Sequence, residues 1–200
     1  MERYEPGQKE IETIVYGGAF NPPTLAHVAI LNACADYVRT ADTPMRKEIW
    51  VMPSGDRSDK TIGVDTDTRL QYVEAMITDA RTEGIPTMPV TTELERTSNV
   101  ETFDTVMELE AAHPDRSFTW VFGADSTETM AQWKEGEWLL ENLRILAVER
   151  EGSYVNPLAK RALALTVPSL SVSSTMVRQR MAGGQALDDL VSPNVLALLA

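Results

Sequence analysis

The stretch Tyr16-Gly17-Gly18-Ala19-Phe20-Asn21-Pro22-Pro23-Thr24-Leu25-Ala26-His27 constrains the chain more than any other, because it carries a strand into a helix through a stiff, glycine-led turn. Upstream, Thr13, Ile14, Val15 and Tyr16 read as a short buried strand; downstream, His27, Ile30, Leu31, Cys34 and Val38 fall on one helical stripe. Two glycines at the strand end let backbone approach a ligand where a side chain would intrude. Pro22 and Pro23 stiffen the turn, and Thr24 suits the N-cap of the helix. His27 is then the third helical residue, and its side chain tilts back toward an N-terminus whose open amides favour an anion. His27 is a donor beside that anion, or a core histidine bonded to a neighbour; the stripe fits both. The dinucleotide fingerprint G-x-G-x-x-G does not follow this strand.

The same alternation continues along the chain. Residues 48–53 form a second strand, ended by Pro53 and Ser54-Gly55-Asp56, and a polar loop with Arg57 and Lys60 runs on to Gly63. Lys60 is a candidate phosphate contact, or a solvated lysine. Asp65 or Asp67 caps a helix with Leu70, Val73, Ile77 and Ala80 as its core stripe and Arg69 pointing back at the strand ends. Residues 86–93 give a weak third strand and 102–112 a helix with Phe103, Val106 and Leu109 inward. Residues 117–122 are a strong fourth strand running straight into Gly123-Ala124-Asp125-Ser126. Asp125 can accept from ribose hydroxyls or cap a helix. Residues 143–148 are a fifth strand, and 153–170 look less regular.

This pattern predicts an α/β fold: a Rossmann-like, doubly wound, mostly parallel sheet with helices on both faces. The expected organisation is a single domain over residues 1–200, with 1–12 a loose lead-in and 171–200 a C-terminal helical segment. In such a sheet the carboxyl ends of the strands share one edge, where Gly17, Gly18, Lys60, Gly123 and Asp125 can converge. A second anion-type motif, Ser173-Ser174-Thr175-Met176-Val177-Arg178, joins them there: the serines cap a helix, and Arg178, one turn on, reaches back to its N-terminus.

A net charge of −12 repels nucleic-acid backbones and anionic membranes, so any polyanionic ligand has to be met by a few local cations and amides. The lone Cys34 sits on an apolar stripe and rules out a disulfide within the chain. With no long apolar run and no signal-peptide pattern, a cytoplasmic protein is expected, with no nucleic-acid or membrane partner and with homo-oligomerisation left open.

The first motif resembles the G-x-F-x-P-x-(H/T)-x-x-H signature of the nucleotidylyltransferase superfamily, and Ser173 to Arg178 its S-S-T-x-(I/V)-R motif. Gly123-Ala124-Asp125-Ser126 with Trp133, Glu93-Leu94-Glu95-Arg96 and Thr102-Phe103-Asp104-Thr105 resemble the nicotinate/nicotinamide mononucleotide adenylyltransferases in order and spacing. That resemblance implies attack of a pyridine mononucleotide 5′-phosphate on the α-phosphorus of ATP, as a step of NAD biosynthesis, with Mg2+ held mainly by the ATP phosphates and no metal cage in the protein. It implies His27, Arg178 and Lys60 as catalytic groups. ATP is assigned to Gly17, Gly18, Ala19, Phe20, Thr24, His27, Gly123, Asp125, Ser173, Ser174, Thr175 and Arg178, with Asp125 on the ribose. The mononucleotide is assigned to Asn21, Lys60, Glu101, Thr102 and Trp133, with Trp133 stacking on the pyridine ring.

Two departures bear on that assignment. Thr24 stands where many bacterial members have a histidine, and Val100-Glu101-Thr102 replaces their Ser-Tyr-Thr at the segment that receives the pyridine carboxylate. A glutamate pointing inward there would repel a carboxylate, which keeps nicotinamide mononucleotide open as the substrate. Other acceptors of the superfamily, phosphopantetheine or glycerol phosphate, and a nucleotide-binding regulator without turnover are the competing readings.

Overall fold

The computed structural model describes residues 9–55, 63–96, 101–149 and 152–200. Lys60, Arg57 and Val100 lie outside them. Among the described residues, six strands form one sheet: β1 (Ile11–Gly18), β2 (Arg46–Pro53), β3 (Thr87–Pro89), β4 (Arg116–Gly123), β5 (Arg144–Val148) and β6 (Ala162–Leu165). Their order is β3-β2-β1-β4-β5-β6, and every neighbouring pair is parallel. The order reverses between β1 and β4, so the crevice above that pair is where a doubly wound sheet receives a ligand.

Helices cover both faces, as the near-continuous apolar runs of the strands require. On one face α1 (Leu25–Thr40), α2 (Thr66–Asp79), α6 (Ser174–Ala182) and α7 (Pro193–Leu199) bury Leu31, Val73, Met76, Val177 and Val195 against Ile14, Tyr16, Ile49 and Val51. On the other, α3 (Thr102–Ala112), the short α4 (Ala124–Thr129) with the 3-10 turn Met130–Gln132 after it, and α5 (Gly136–Asn142) seat Val106, Leu109, Met130, Leu139 and Leu140 against Val15, Trp50, Trp120 and Ile145.

The structure departs from the sequence-based expectations in three places. Ile11 and Glu12 are not lead-in but the first residues of β1, in register with Arg46 and Lys47 on one side and Arg116 and Ser117 on the other. Glu12 is wholly buried because Arg144 (3.1 Å), Tyr37 (3.3 Å) and Thr119 (3.4 Å) donate to its Oε1. Secondly, the stretch taken as irregular contains β6, whose four residues have no β-branched member and become a strand by pairing along β5. Thirdly, of the expected α2 stripe Val73 and Ala80 are buried and Ile77 packs partly buried against the core, but Leu70 is only half-buried, and Arg69, Tyr72 and Met76 complete the buried face. Arg69 turns that face, since its guanidinium is held by carbonyls at the strand ends.

Candidate active site

At the carboxyl edge of the sheet the chain leaves β1 through a sharp turn. Gly18 is required there: a Cβ on it would lie 2.9 Å from the Phe20 ring. Phe20 takes a left-handed backbone conformation (φ 44°) and buries its ring completely, edge-on to Tyr16 at 5.3 Å and to His27 at 5.4 Å. Strain in that backbone is offset by the burial of the aromatic ring.

Thr24 caps α1, and His27 stands at the third helical position. The Thr24 amide donates to Nδ1 of His27 at 2.9 Å, and the Thr24 hydroxyl oxygen lies 2.8 Å from the same nitrogen. This is the reciprocal half of a capping box, with imidazole in the place usually taken by Glu or Gln. Because an amide can only donate, Nδ1 is the acceptor and the proton of the neutral ring sits on Nε2. His27 is thus bonded to a neighbour, and its ring also lines the cavity described below. Thr24 itself is buried (1% exposed) and lines neither cavity, and its hydroxyl and amide both face His27 Nδ1.

The second motif closes over the first. Ser173 caps α6, accepting from the Met176 amide at 3.2 Å. The Ser174 hydroxyl donates to the Pro22 carbonyl at 2.8 Å, and Arg178 donates through Nη1 to the Asn21 carbonyl (2.6 Å) and through Nη2 to Thr175 Oγ1 (3.1 Å). Between the two motifs lies a cavity of about 1040 Å³ whose wall includes Phe20, Asn21, His27, Ser173, Ser174, Thr175 and Arg178. Its far side is formed by Val148, Glu149, Val167 and Pro168, from the end of β5 and the segment after β6. Sequence reasoning gave those residues no role; the signal available was their place just beyond a strand end.

A second cavity, of about 610 Å³, opens on the other side of the turn. Gly17 and Gly18 line this one, as do Trp133, Phe122, Glu101 and Thr102. Trp133 meets Phe122 edge-on at 6.0 Å, and Phe122 stacks on Trp120 at 6.4 Å. Glu93 was overlooked as a wall residue: it is buried, and its carboxylate accepts from Thr105 Oγ1 at 2.9 Å and from the Gly55 amide at 3.3 Å. Glu101 is the N-cap residue of α3, but its side chain makes no capping bond. Lys134, the cation among the described lining residues, pairs with Asp104 at 2.6 Å.

The cavities meet at Ala19, which among the described residues alone lines both. The sequence-based grouping is redrawn accordingly. Asn21 belongs to the first cavity and not with Trp133, while Gly17 and Gly18 belong to the second. Gly123 and Asp125 line neither; the exposed Asp125 carboxylate folds against Gly123, where an added Cβ would come within 2.2 Å of its Oδ1. Such an arrangement can hold a polyphosphate against neutral hydroxyls, an imidazole and a guanidinium on one side, and a flat ring with a phosphate of its own on the other.

The cytidylyltransferase-like family matches residues 15–180. A protein of Exiguobacterium sibiricum named "Probable nicotinate-nucleotide adenylyltransferase" is 31% identical over 185 residues, covering 92% of this chain and 93% of the other. One of the same name from Geobacillus thermodenitrificans is 30% identical over 185 residues, with 90% and 80% covered. The Plasmodium falciparum nicotinic acid mononucleotide adenylyltransferase complexed with NaAD shares the fold, with a TM-score of 0.76 over 94% of each chain at 22% identity. The same enzyme complexed with APC gives 0.73 at 20% identity, again over 94% of each chain.

Proposed function

The chain belongs to the cytidylyltransferase-like family, among the nicotinate-nucleotide adenylyltransferases, and on that premise we propose how its own residues join ATP to a pyridine mononucleotide with release of pyrophosphate. It is a nucleotidyltransferase of NAD biosynthesis. The observation that carries the residue assignment is the meeting of two chemically different cavities at one backbone residue, Ala19. ATP occupies the larger cavity, its phosphates against His27, Ser173, Ser174, Thr175 and Arg178. The mononucleotide takes the smaller, its ring against Trp133 and beside Glu101 and Thr102, and its phosphate reaches Ala19.

An oxygen of the mononucleotide phosphate forms a bond to the α-phosphorus of ATP, the α–β bridging bond breaks, and its electron pair leaves with pyrophosphate. The attacking oxygen is already anionic, so no general base is needed; positioning and charge stabilisation carry the reaction. The Nε2–H of His27 and the Arg178 guanidinium stabilise charge on the leaving group. Lys60, outside the described residues, is assigned to the phosphates and Asp125 to the adenosine ribose by their places in the family motifs.

Magnesium arrives with ATP. The phosphate side of the larger cavity offers hydroxyls, imidazole and guanidinium, with Glu149 the one carboxylate among the described lining residues, and that donor set suits an ion held by phosphate oxygens. Such an ion supplies neutralisation of the triphosphate charge. We place the reaction in the cytoplasm; no helix of the described residues is long and apolar enough to cross a membrane.

Nicotinamide mononucleotide is retained as a second acceptor because Glu101 lines the ring cavity. The test is pyrophosphate release with ATP and magnesium, comparing nicotinate mononucleotide, nicotinamide mononucleotide and phosphopantetheine. Turnover with a pyridine nucleotide is expected. Turnover with phosphopantetheine alone, or ATP binding without turnover on any of the three, overturns the reading.

A further inference from the structure

Arg69 is an arginine with only 3% of its surface exposed, beneath the turn where the two cavities meet. Its Nε and Nη2 donate to the Ala19 carbonyl at 3.2 and 3.1 Å, and Nη2 also donates to the Ser54 carbonyl. Ala19 is the first residue after β1 and Ser54 the first after β2, so one planar cation fixes the backbone leaving two adjacent strands. The Ser54 amide donates in turn to the Gly18 carbonyl at 2.8 Å, closing the clamp. A buried guanidinium is costly unless its donors are met, and two strand-end carbonyls take up Nε and Nη2 here.

The consequence lies on the opposite side of the same peptide. The Ala19–Phe20 bond is trans, so its N–H points away from its C=O. With the carbonyl held on Arg69, the Phe20 amide points away from that guanidinium, and Ala19 and Phe20 both line the larger cavity. The left-handed conformation of Phe20 is compatible with this peptide orientation, and the buried ring holds it from the other end.

We propose that Arg69 is a positioning residue for phosphoryl transfer: it touches neither substrate, and it holds the Ala19–Phe20 peptide in the orientation that aligns the mononucleotide phosphate with the α-phosphorus of ATP. This rests on the adenylyltransferase reading above. Its expected signature is a loss in turnover without a matching loss in binding, because each substrate keeps its own cavity.

The test uses the full chain and two variants. Arg69→Lys keeps a cation that reaches one carbonyl; Arg69→Met keeps the length and loses the bonds to both carbonyls. For each, kcat is measured well below the melting temperature, per mole of folded protein, and the Kd for ATP is measured by calorimetry without the acceptor. Misplacement of reacting groups by about 1 Å costs about 100-fold, so Arg69→Met is expected to lose about that much kcat and Arg69→Lys about ten-fold, with ATP Kd within about three-fold of the parent. If Arg69→Met does not fold, the same split in Arg69→Lys decides. A kcat within about two-fold of the parent in a folded variant overturns the proposal, and so does a kcat loss matched by an equal loss of ATP affinity, at about 1.4 kcal/mol per ten-fold. Absence of turnover in the parent would instead strike the functional reading on which the proposal rests.

Discussion

The Ser174 hydroxyl donates to the Pro22 carbonyl at 2.8 Å, across 152 residues of chain. With Arg178 on the Asn21 carbonyl, it makes the first and last motifs one wall. The helix that carries the serines is thereby seated by the same turn that carries His27.

Ser174→Ala removes that bond and a hydroxyl from the wall of the larger cavity together. A lost hydrogen bond with a part-buried acceptor costs about 1 kcal/mol in urea unfolding. The KM for ATP is expected to rise while the KM for the mononucleotide stays within about two-fold, since the pyridine cavity lies on the other side of Ala19. Equal changes in both would count against the assignment of the cavities.

His27 has two separable tasks. Asparagine at this position places an acceptor near Nδ1, so His27→Asn should keep the bond from the Thr24 amide and unfold within about 0.5 kcal/mol of the parent. It lacks the Nε2 donor, and kcat should fall by about 100-fold, the usual cost of one transition-state donor. His27→Ala loses both. Full activity in His27→Asn would show that the imidazole serves only the cap.

Selectivity for the pyridine substituent is expected to turn on Glu101. Replacing it by tyrosine removes a carboxylate from the ring cavity and should raise kcat/KM for nicotinate mononucleotide relative to nicotinamide mononucleotide, by about ten-fold for one close like-charge contact. An unchanged ratio of the two values would refute a role for Glu101 in that choice.

Burial pushes the Cys34 thiol up from 9.0 to about 12. The neutral form is therefore favoured in the folded chain, and its contribution to stability is complete below pH 9. As pH rises from 9 toward 12 the unfolded chain ionises first, and stability should fall by up to about 1.4 kcal/mol per pH unit. Cys34→Ala should flatten that slope between pH 9 and 11 in denaturant titrations. Iodoacetamide at pH 8 should label Cys34 only when the protein is unfolded.

Local signals were enough for much of this molecule. The N-cap at Thr24, the bounds of the helix Thr102–Ala112, the cap at Ser173 and the glycine turns after β1 and β4 all follow from residues within a few positions of one another. The two motifs read as candidate anion sites because open amides, hydroxyls and a nearby cation are written contiguously in the chain.

What the sequence could not decide is which wall a given residue joins, because that depends on strand order and on contacts between distant segments. Gly17 and Gly18 adjoin Phe20 in the chain yet face the other cavity, since the turn itself is the partition. Thr24 is turned inward by its bond to His27, β6 exists only because β5 offers it an edge, and Arg69 enters the core because two carbonyls from different strands meet there. Propensity and periodicity act over a few residues, so the chain alone specifies the elements and their chemical groups. Packing the strands side by side brings those groups to one edge and divides that edge into two cavities.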